Sequence, residues 1–228
     1  MCGRFSLTVT EAELNLRFEI EGGKAPYVSR YNCAPTQMLA VITKLKPANL
    51  DYYRWGLIPA WAKDPAIGNK LINARAESVS EKPSFRKPLK SQRCLVPADS
   101  FYEWKQNGTK VPFRIFLKNT PIFSFAGLWD QWESPDGSRI RSFSIITTSA
   151  NTFMKNIHER MPVILSEEDE HRWLNETDES SLISLLKPCP SEIMDAYPLS
   201  GLINSARNEG PELIRRVESS GGQSTLDF

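Results

Sequence analysis

The chain has 228 residues, 40% of them hydrophobic, which suits one large domain or two small ones, with one the better reading. Its 28 Lys and Arg nearly balance its 27 Asp and Glu, so no global positive field draws nucleic acid, and any such binding must come from a local patch. The four cysteines, Cys2, Cys33, Cys94 and Cys189, are scattered with no CxxC pair, which argues against a zinc site and fits a reducing cytoplasm. No signal-like segment precedes Cys2, and no apolar run approaches the roughly 18 residues of a membrane span, so a soluble cytoplasmic protein is expected.

In chain order, Thr10 is placed to cap a short amphipathic helix carrying Leu14 and Phe18 on one face, with Gly22-Gly23 expected to stop it. Strand-like runs follow at 39–43, 52–57, 113–117, 122–126 and 143–148; Phe113, Ile115 and Leu117 fall on one face of their run, with polar Arg114 between the first two, as in a half-buried strand. Ser166 and Asp178 precede two late helices, the second holding the 182–186 apolar run. Sixteen prolines keep the elements short. The 71–75 and 202–207 segments look alike, but their flanks differ, so no repeat is inferred. The expected fold class is α+β: a single domain built on a largely antiparallel, barrel-like β-sheet with flanking short helices. The domain is expected to span 1–217, and 218–228, opening on Glu-Ser-Ser-Gly-Gly, to form a flexible tail.

The chemistry begins at the second residue. Removal of Met1, expected before a small residue, gives Cys2 a free α-amine beside its thiol, a 1,2-aminothiol that no internal residue offers. An aldehyde can form an imine with that amine, and the thiol can then close a thiazolidine ring. Reference pKa values of about 7.7–8.0 for the amine and about 8.5 for the thiol leave little of either reactive at pH 7, so proton-handling neighbours are needed. Asn73, Glu103 and His158 each lie in apolar sequence. Glu103 sits among Phe101, Tyr102 and Trp104, where desolvation would raise its pKa, although it could instead point to solvent from a strand. His171, the other histidine, lies in a charged stretch that reads as exposed; His158 is the better proton shuttle, or else a structural histidine. Asn73 could equally be a buried amide satisfying the backbone. Arg4, Lys70, Arg75, Arg86, Lys87, Arg93 and Arg160 cluster near these positions with Trp55, Trp61 and Tyr102 among them. That combination suits single-stranded nucleic acid, or else ordinary surface charge around core tryptophans.

Seven motifs occur in order: Met1-Cys2-Gly3-Arg4-Phe5, Tyr31-Asn32-Cys33-Ala34-Pro35, Trp55-Gly56-Leu57-Ile58-Pro59, Asn73-Ala74-Arg75-Ala76-Glu77, Arg93-Cys94-Leu95-Val96-Pro97, Phe101-Tyr102-Glu103-Trp104 and Ile157-His158-Glu159-Arg160-Met161-Pro162-Val163. Together, over residues 2 to about 214, they resemble the SRAP family (SOS response-associated peptidase domain), the abasic-site DNA–protein cross-linking proteins. The resemblance implies a self-modifying DNA repair activity: the mature N-terminal Cys bonds to the ring-opened aldehyde of an abasic site in single-stranded DNA, and the thiazolidine shields the lesion. By the same resemblance Cys2 is the nucleophile, and Asn73, Glu103 and His158 are active-site residues. Arg4, Arg75 and Arg160 match phosphate-holding positions and Trp61 a base-stacking aromatic; Asn32 and Arg86 are assigned to the same DNA surface. Ala206 stands where many relatives read Pro, near the site. No metal or organic cofactor is expected, nor any membrane partner. A monomer, associated with the nucleoid when on DNA, is expected.

The tail ends Gln223-Ser224-Thr225-Leu226-Asp227-Phe228. Gln223, Leu226 and Phe228 resemble the short peptide with which bacterial repair proteins bind the sliding clamp, a flexible tether offering two apolar anchors. Two rival functions remain at this point. One is a thiol peptidase using Cys2 and His158, with self-removal of Met1; the other is a non-catalytic single-strand-binding module. A lyase-like side activity through the imine is also expected.

Overall fold

Short apolar runs broken by prolines and turn residues fold as fourteen strands and four α-helices among the residues that a computed structural model describes, 2–23, 26–44, 48–107 and 109–217. In chain order they are β1 (Phe5–Leu7), α1 (Glu11–Phe18), β2 (Ile20–Gly23), β3 (Arg30–Cys33), β4 (Met38–Ile42), β5 (Ala48–Trp55), β6 (Asn73–Arg75), α2 (Arg86–Ser91) and β7 (Arg93–Ala98). Then come β8 (Ser100–Asn107), β9 (Thr109–Leu117), β10 (Phe123–Glu133), β11 (Arg139–Ser149), β12 (Arg160–Pro162), β13 (Ile164–Leu165), α3 (Glu167–Asn175), α4 (Glu179–Ser184) and β14 (Met194–Pro198).

Five strands close on themselves. Antiparallel neighbours run β11, β10, β7, β4, β5, and a parallel pairing of Ser142 with Arg54 and Phe143 with Trp55 returns β5 to β11. The second sheet runs β14, β9, β8, β1, β3. The architecture is α+β on a largely antiparallel, barrel-like sheet with short flanking helices, as expected from the sequence.

Alternation decides which residue faces what. Leu39 and Val41 of β4 join one apolar cluster, while Ala40 and Ile42 join another, because successive strand side chains point to opposite faces. The first cluster lies between the two sheets and contains Phe5, Trp55, Phe101, Ile115, Phe125 and Phe143. Phe5 is its pivot, with ring centroids 5.3 Å from Trp55 and 5.7 Å from Phe125. Burying such a ring stabilises the fold by about 1.5–3 kcal/mol. The opposite face is covered by the helices through Leu14 and Phe18 of α1, Leu89 of α2, Trp173 of α3 and Leu182 of α4.

The chain passes from barrel to second sheet at Asp99, between β7 and β8. Its carboxylate accepts hydrogen bonds from the Thr8 hydroxyl, the Thr8 backbone N–H and the Ser6 hydroxyl, each at 2.5 Å. Arg114 lies 3.5 Å from it. These bonds fasten β1 across the corner, and β1 carries the N-terminal residues into the molecule.

Local expectations were met at the helix starts. Thr10 forms a capping box with Glu13, and Ser166 and Asp178 cap α3 and α4. One stop was misread. α1 ends at Phe18, where Glu19 adopts the left-handed conformation (φ 52°), and Gly22-Gly23 belong to β2 instead. Arg93 also leaves the expected basic cluster. It is buried, and its guanidinium donates to backbone carbonyls of Leu89 (2.6 Å), Lys90 (2.8 Å), Trp173 and Glu176 (2.6 Å). It binds the ends of α2 and α3 to β7, which is structural work. The expected tail, with Gln223, Leu226 and Phe228, lies outside the described residues.

Candidate active site

Strand pairing brings Cys2 to Glu103. Phe5 pairs with Phe101 and Ser6 with Ser100, and the Tyr102 N–H donates to the Arg4 carbonyl at 2.9 Å. The segment before β1 therefore runs back along β8 toward Glu103. Cys2 is fully buried, in the same apolar cluster as Phe101, Phe153, Ile157 and Met161. Burial pushes its thiol well above the ordinary range; the negative charge of Glu103 adds to the shift, and a hydrogen bond from the Arg4 backbone opposes it.

Glu103 is only 3% exposed, and burial raises its carboxyl above the ordinary carboxylate range, with the charge of His158 pulling the other way. The alternative of a solvent-facing glutamate is thereby removed. Glu103 is coupled electrostatically to both Cys2 and His158, so residues 101 and 55 positions away from it in sequence share one site.

His158 follows a 3-10 turn (Met154–Asn156) in the loop from β11 to β12, its backbone N–H held by the Met154 carbonyl at 2.8 Å. The Arg160 backbone N–H donates to His158 Nδ1 at 2.9 Å. That bond makes Nδ1 an acceptor and places the proton of the neutral ring on Nε2. The ring is half-buried, whereas His171 is exposed on α3.

Asn73 opens β6, which runs parallel to β11 with Asn73 opposite Ile145. Its Nδ2 lies 3.5 Å from the Ile145 carbonyl, and its buried Oδ1 has no hydrogen-bond partner among the described residues. A buried acceptor left unsatisfied costs about 1–3 kcal/mol. An amine or hydroxyl donor brought by a substrate would relieve that cost.

Arg75 and Arg160 lie on either side of β11. Thr147 pairs with Arg75 of β6 on one side and Pro162 of β12 on the other, and Arg160 pairs with Ser149. Arg75 is exposed, and its side chain has no hydrogen-bond partner among the described residues. Arg160 donates to the Thr147 carbonyl at 2.7 Å and grips Glu77 with both terminal nitrogens, at 2.5 and 3.0 Å. Sequence reasoning missed Glu77 and Thr147. Glu77 stood in plain view at the end of the Asn73–Glu77 motif, but nothing local paired it with a residue 83 positions away.

Trp61 is 58% exposed. Its neighbours are fixed: the Ala60 N–H donates to Asp130 at 2.9 Å, and the Ala62 carbonyl accepts from the Trp132 indole at 2.7 Å. A large apolar ring held out from an anchored backbone offers a stacking surface. Arg4 and Asn32 sit differently. Arg4 donates to Asn32 Oδ1 at 2.6 Å and to the Ile203 carbonyl at 3.0 Å, with its guanidinium 6.0 Å from the Trp104 ring. Asn32 is fully buried and donates to the carbonyls of Ser205 (2.9 Å) and Asn208 (2.8 Å). The pair braces β1 and β3 against the 201–208 turn that contains Ala206. Arg86 is exposed at the start of α2, and its side chain has no ion pair or hydrogen bond with the other candidates.

The family model for SOS response associated peptidase (SRAP) matches residues 1–206. The chain belongs to this family. The abasic site processing protein YoqW of Bacillus subtilis (strain 168) is 50% identical over 221 residues, covering 94% of this chain and 99% of that protein. The abasic site processing protein HMCES of Xenopus tropicalis is 30% identical, covering 95% of this chain and 78% of that protein. A crystal structure of a protein from Bacteroides thetaiotaomicron superposes with a TM-score of 0.88 at 32% identity, covering 95% of this chain and all of the other. No helix among the described residues of this SRAP protein is long and apolar enough to cross a membrane.

Proposed function

We propose that this SRAP protein processes abasic sites in single-stranded DNA by cross-linking itself to them through Cys2. The observation that carries the reading is the grouping of a buried thiol at residue 2, a buried carboxyl held protonatable by its surroundings, and a histidine coupled to that carboxyl. The names of relatives at 50% and 30% identity support the substrate class.

Removal of Met1 converts the Cys2 nitrogen from an amide into an amine. That amine attacks the aldehyde carbon of the ring-opened sugar and forms a C–N bond. The carbonyl oxygen leaves as water after protonation, giving an imine. The thiol sulfur then adds to the imine carbon, its proton passing to a base, and the thiazolidine closes. Atoms balance as aldehyde plus aminothiol giving ring plus one water. Glu103, whose carboxyl burial shifts upward, supplies the proton for sugar opening and for loss of water, and its carboxylate then takes the thiol proton. His158, with its proton on Nε2, assists the same transfers. Asn73 Oδ1 accepts from the attacking amine or a sugar hydroxyl. Arg75 and Arg160 bind phosphates and Trp61 stacks on a base, so that the aldehyde is delivered to Cys2 as if intramolecularly. Arg4 and Asn32 support this surface from beneath by holding the 201–208 turn, and Arg86 extends its positive rim. We take 1–217 as the processing domain and 218–228 as a tail whose Gln223, Leu226 and Phe228 reach a sliding clamp.

The peptidase alternative is weakened by the same geometry. A thiol peptidase needs a thiolate, and burial beside Glu103 opposes one. A denaturing gel with an abasic oligonucleotide tests the proposal. Cys2→Ala should give no shifted band. Glu103→Gln should slow band formation by roughly 10²-fold or more, with binding to an uncleavable abasic analogue kept. Cross-linking by Cys2→Ala at the normal rate would overturn the mechanism.

A further inference from the structure

The guanidinium of Arg160 is already occupied. A free guanidinium offers five N–H donors, two on each terminal nitrogen and one on Nε. Glu77 Oε1 and Oε2 take one from each terminal nitrogen, at 2.5 and 3.0 Å, in the fork-to-fork geometry that carboxylates and phosphates share. The Thr147 carbonyl takes the second Nη2 hydrogen at 2.7 Å. Nε is buried, with no acceptor among the described residues. One N–H is left for a ligand, so a DNA phosphate cannot take Arg160 in the bidentate manner while Glu77 stays in place.

Glu77 is also the more exposed partner. Its side chain is half exposed, while that of Arg160 is 17% exposed and bonded to β11 through Thr147. Arg75 lies close enough to act on the same carboxylate. One carboxylate thus sits within the field of two arginines that face a polyanionic strand.

We infer that Glu77 is an internal phosphate mimic, a gate that holds Arg160 in the free protein and is exchanged for a backbone phosphate when single-stranded DNA binds. The inference rests on the proposed DNA-processing function and adds a residue that sets its affinity and selectivity. A phosphate in register gains the Arg160 fork only by displacing a competitor, so binding to any stretch of strand is weakened. The near-neutral chain (28 basic against 27 acidic residues) agrees, since a protein that must find rare lesions gains nothing from adhering to intact DNA. Meanwhile the pair keeps a partly buried guanidinium from standing alone. The carboxyl of Glu77 is held below the ordinary range, first by its hydrogen bond to Arg160, so a competing anion rather than a pH change near neutrality opens the gate.

The test is non-covalent binding of the full chain to a fluorescent single-stranded oligonucleotide carrying a tetrahydrofuran abasic analogue, which has no aldehyde, at several NaCl concentrations. Glu77→Gln should bind roughly two- to fivefold tighter at each salt concentration, because the phosphate no longer has to displace a competitor from Arg160. In an Arg160→Gln background, Glu77→Gln should give a clearly smaller gain, because the gate has no latch to hold and only the field of Arg75 is left to respond. Equal or weaker binding by Glu77→Gln, or the same gain with and without Arg160, would overturn the inference. Thermal melting of each variant identifies one that is unfolded; Glu77→Ala then replaces Glu77→Gln, or Arg160→Ala replaces Arg160→Gln, with the same expectations and the same contradicting results. Cross-linking of wild-type protein to a true abasic oligonucleotide, run in parallel, separates the two ideas. Its absence would sink the proposed chemistry and leave the gate measurement readable, while normal cross-linking without the Glu77 effect would sink only the gate.

Discussion

Glu103 is the residue on which chemistry and stability meet. A carboxyl whose folded pKa is raised by burial is protonated in both states below the ordinary carboxylate value, and there it adds nothing to the pH dependence. As pH rises past that value, the unfolded chain releases the proton first. Stability therefore falls until the folded-state value is passed, then levels. Glu103→Gln removes this loss, so the variant should be more stable than the parent at neutral pH and close to it at acid pH. Urea midpoints from pH 4 to 8 measure the difference; a gap that stays constant with pH would contradict the burial argument. The upward shift also favours the proton-donating form more than a surface glutamate would. Much of this was legible in sequence, because three aromatics around one carboxylate announce desolvation. Glu77 was not, since its role comes only from the strand pairings that carry Arg160 to it.

Among elements, the helix starts could be read directly: Thr10 with Glu13, Ser166 and Asp178 supply oxygens to otherwise unbonded N–H groups. The end of α1 could not, because glutamate has no intrinsic preference for the left-handed region and the glycines nearby were the better local signal. Glu19 is exposed, and its conformation (φ 52°) is one that glycine adopts without strain. Glu19→Gly should accordingly raise stability by up to about 1 kcal/mol, seen as a higher urea midpoint at unchanged slope. A loss of stability would mean that the Glu19 side chain does more than terminate a helix. Strands were legible wherever apolar residues alternate, as in Phe113, Ile115 and Leu117 of β9. The register between distant strands was hidden. The parallel pairing of Ser142 with Arg54 that closes the barrel leaves no mark in either segment.

At the scale of the molecule, the fold's contribution is to bring residues 2, 103 and 158 together from three separate segments. The corner at Asp99 fastens β1, β8 lies beside it, and β6 and β12 run along β11. Arg75, Arg160 and Trp61 belong to segments bonded to that scaffold and not to free loops. The fold class was legible because short alternating runs allow few other packings, whereas the shared site became visible only through pairings distant in sequence. The central claim concerns one covalent bond. Intact-mass measurement of the full chain after mixing with a single-stranded abasic oligonucleotide tests it directly, followed by peptide mapping of the adduct. The account predicts a species of protein lacking Met1 plus oligonucleotide less one water, with the attachment at Cys2. An active protein that retains Met1, or an adduct mapped to any other residue, would contradict it.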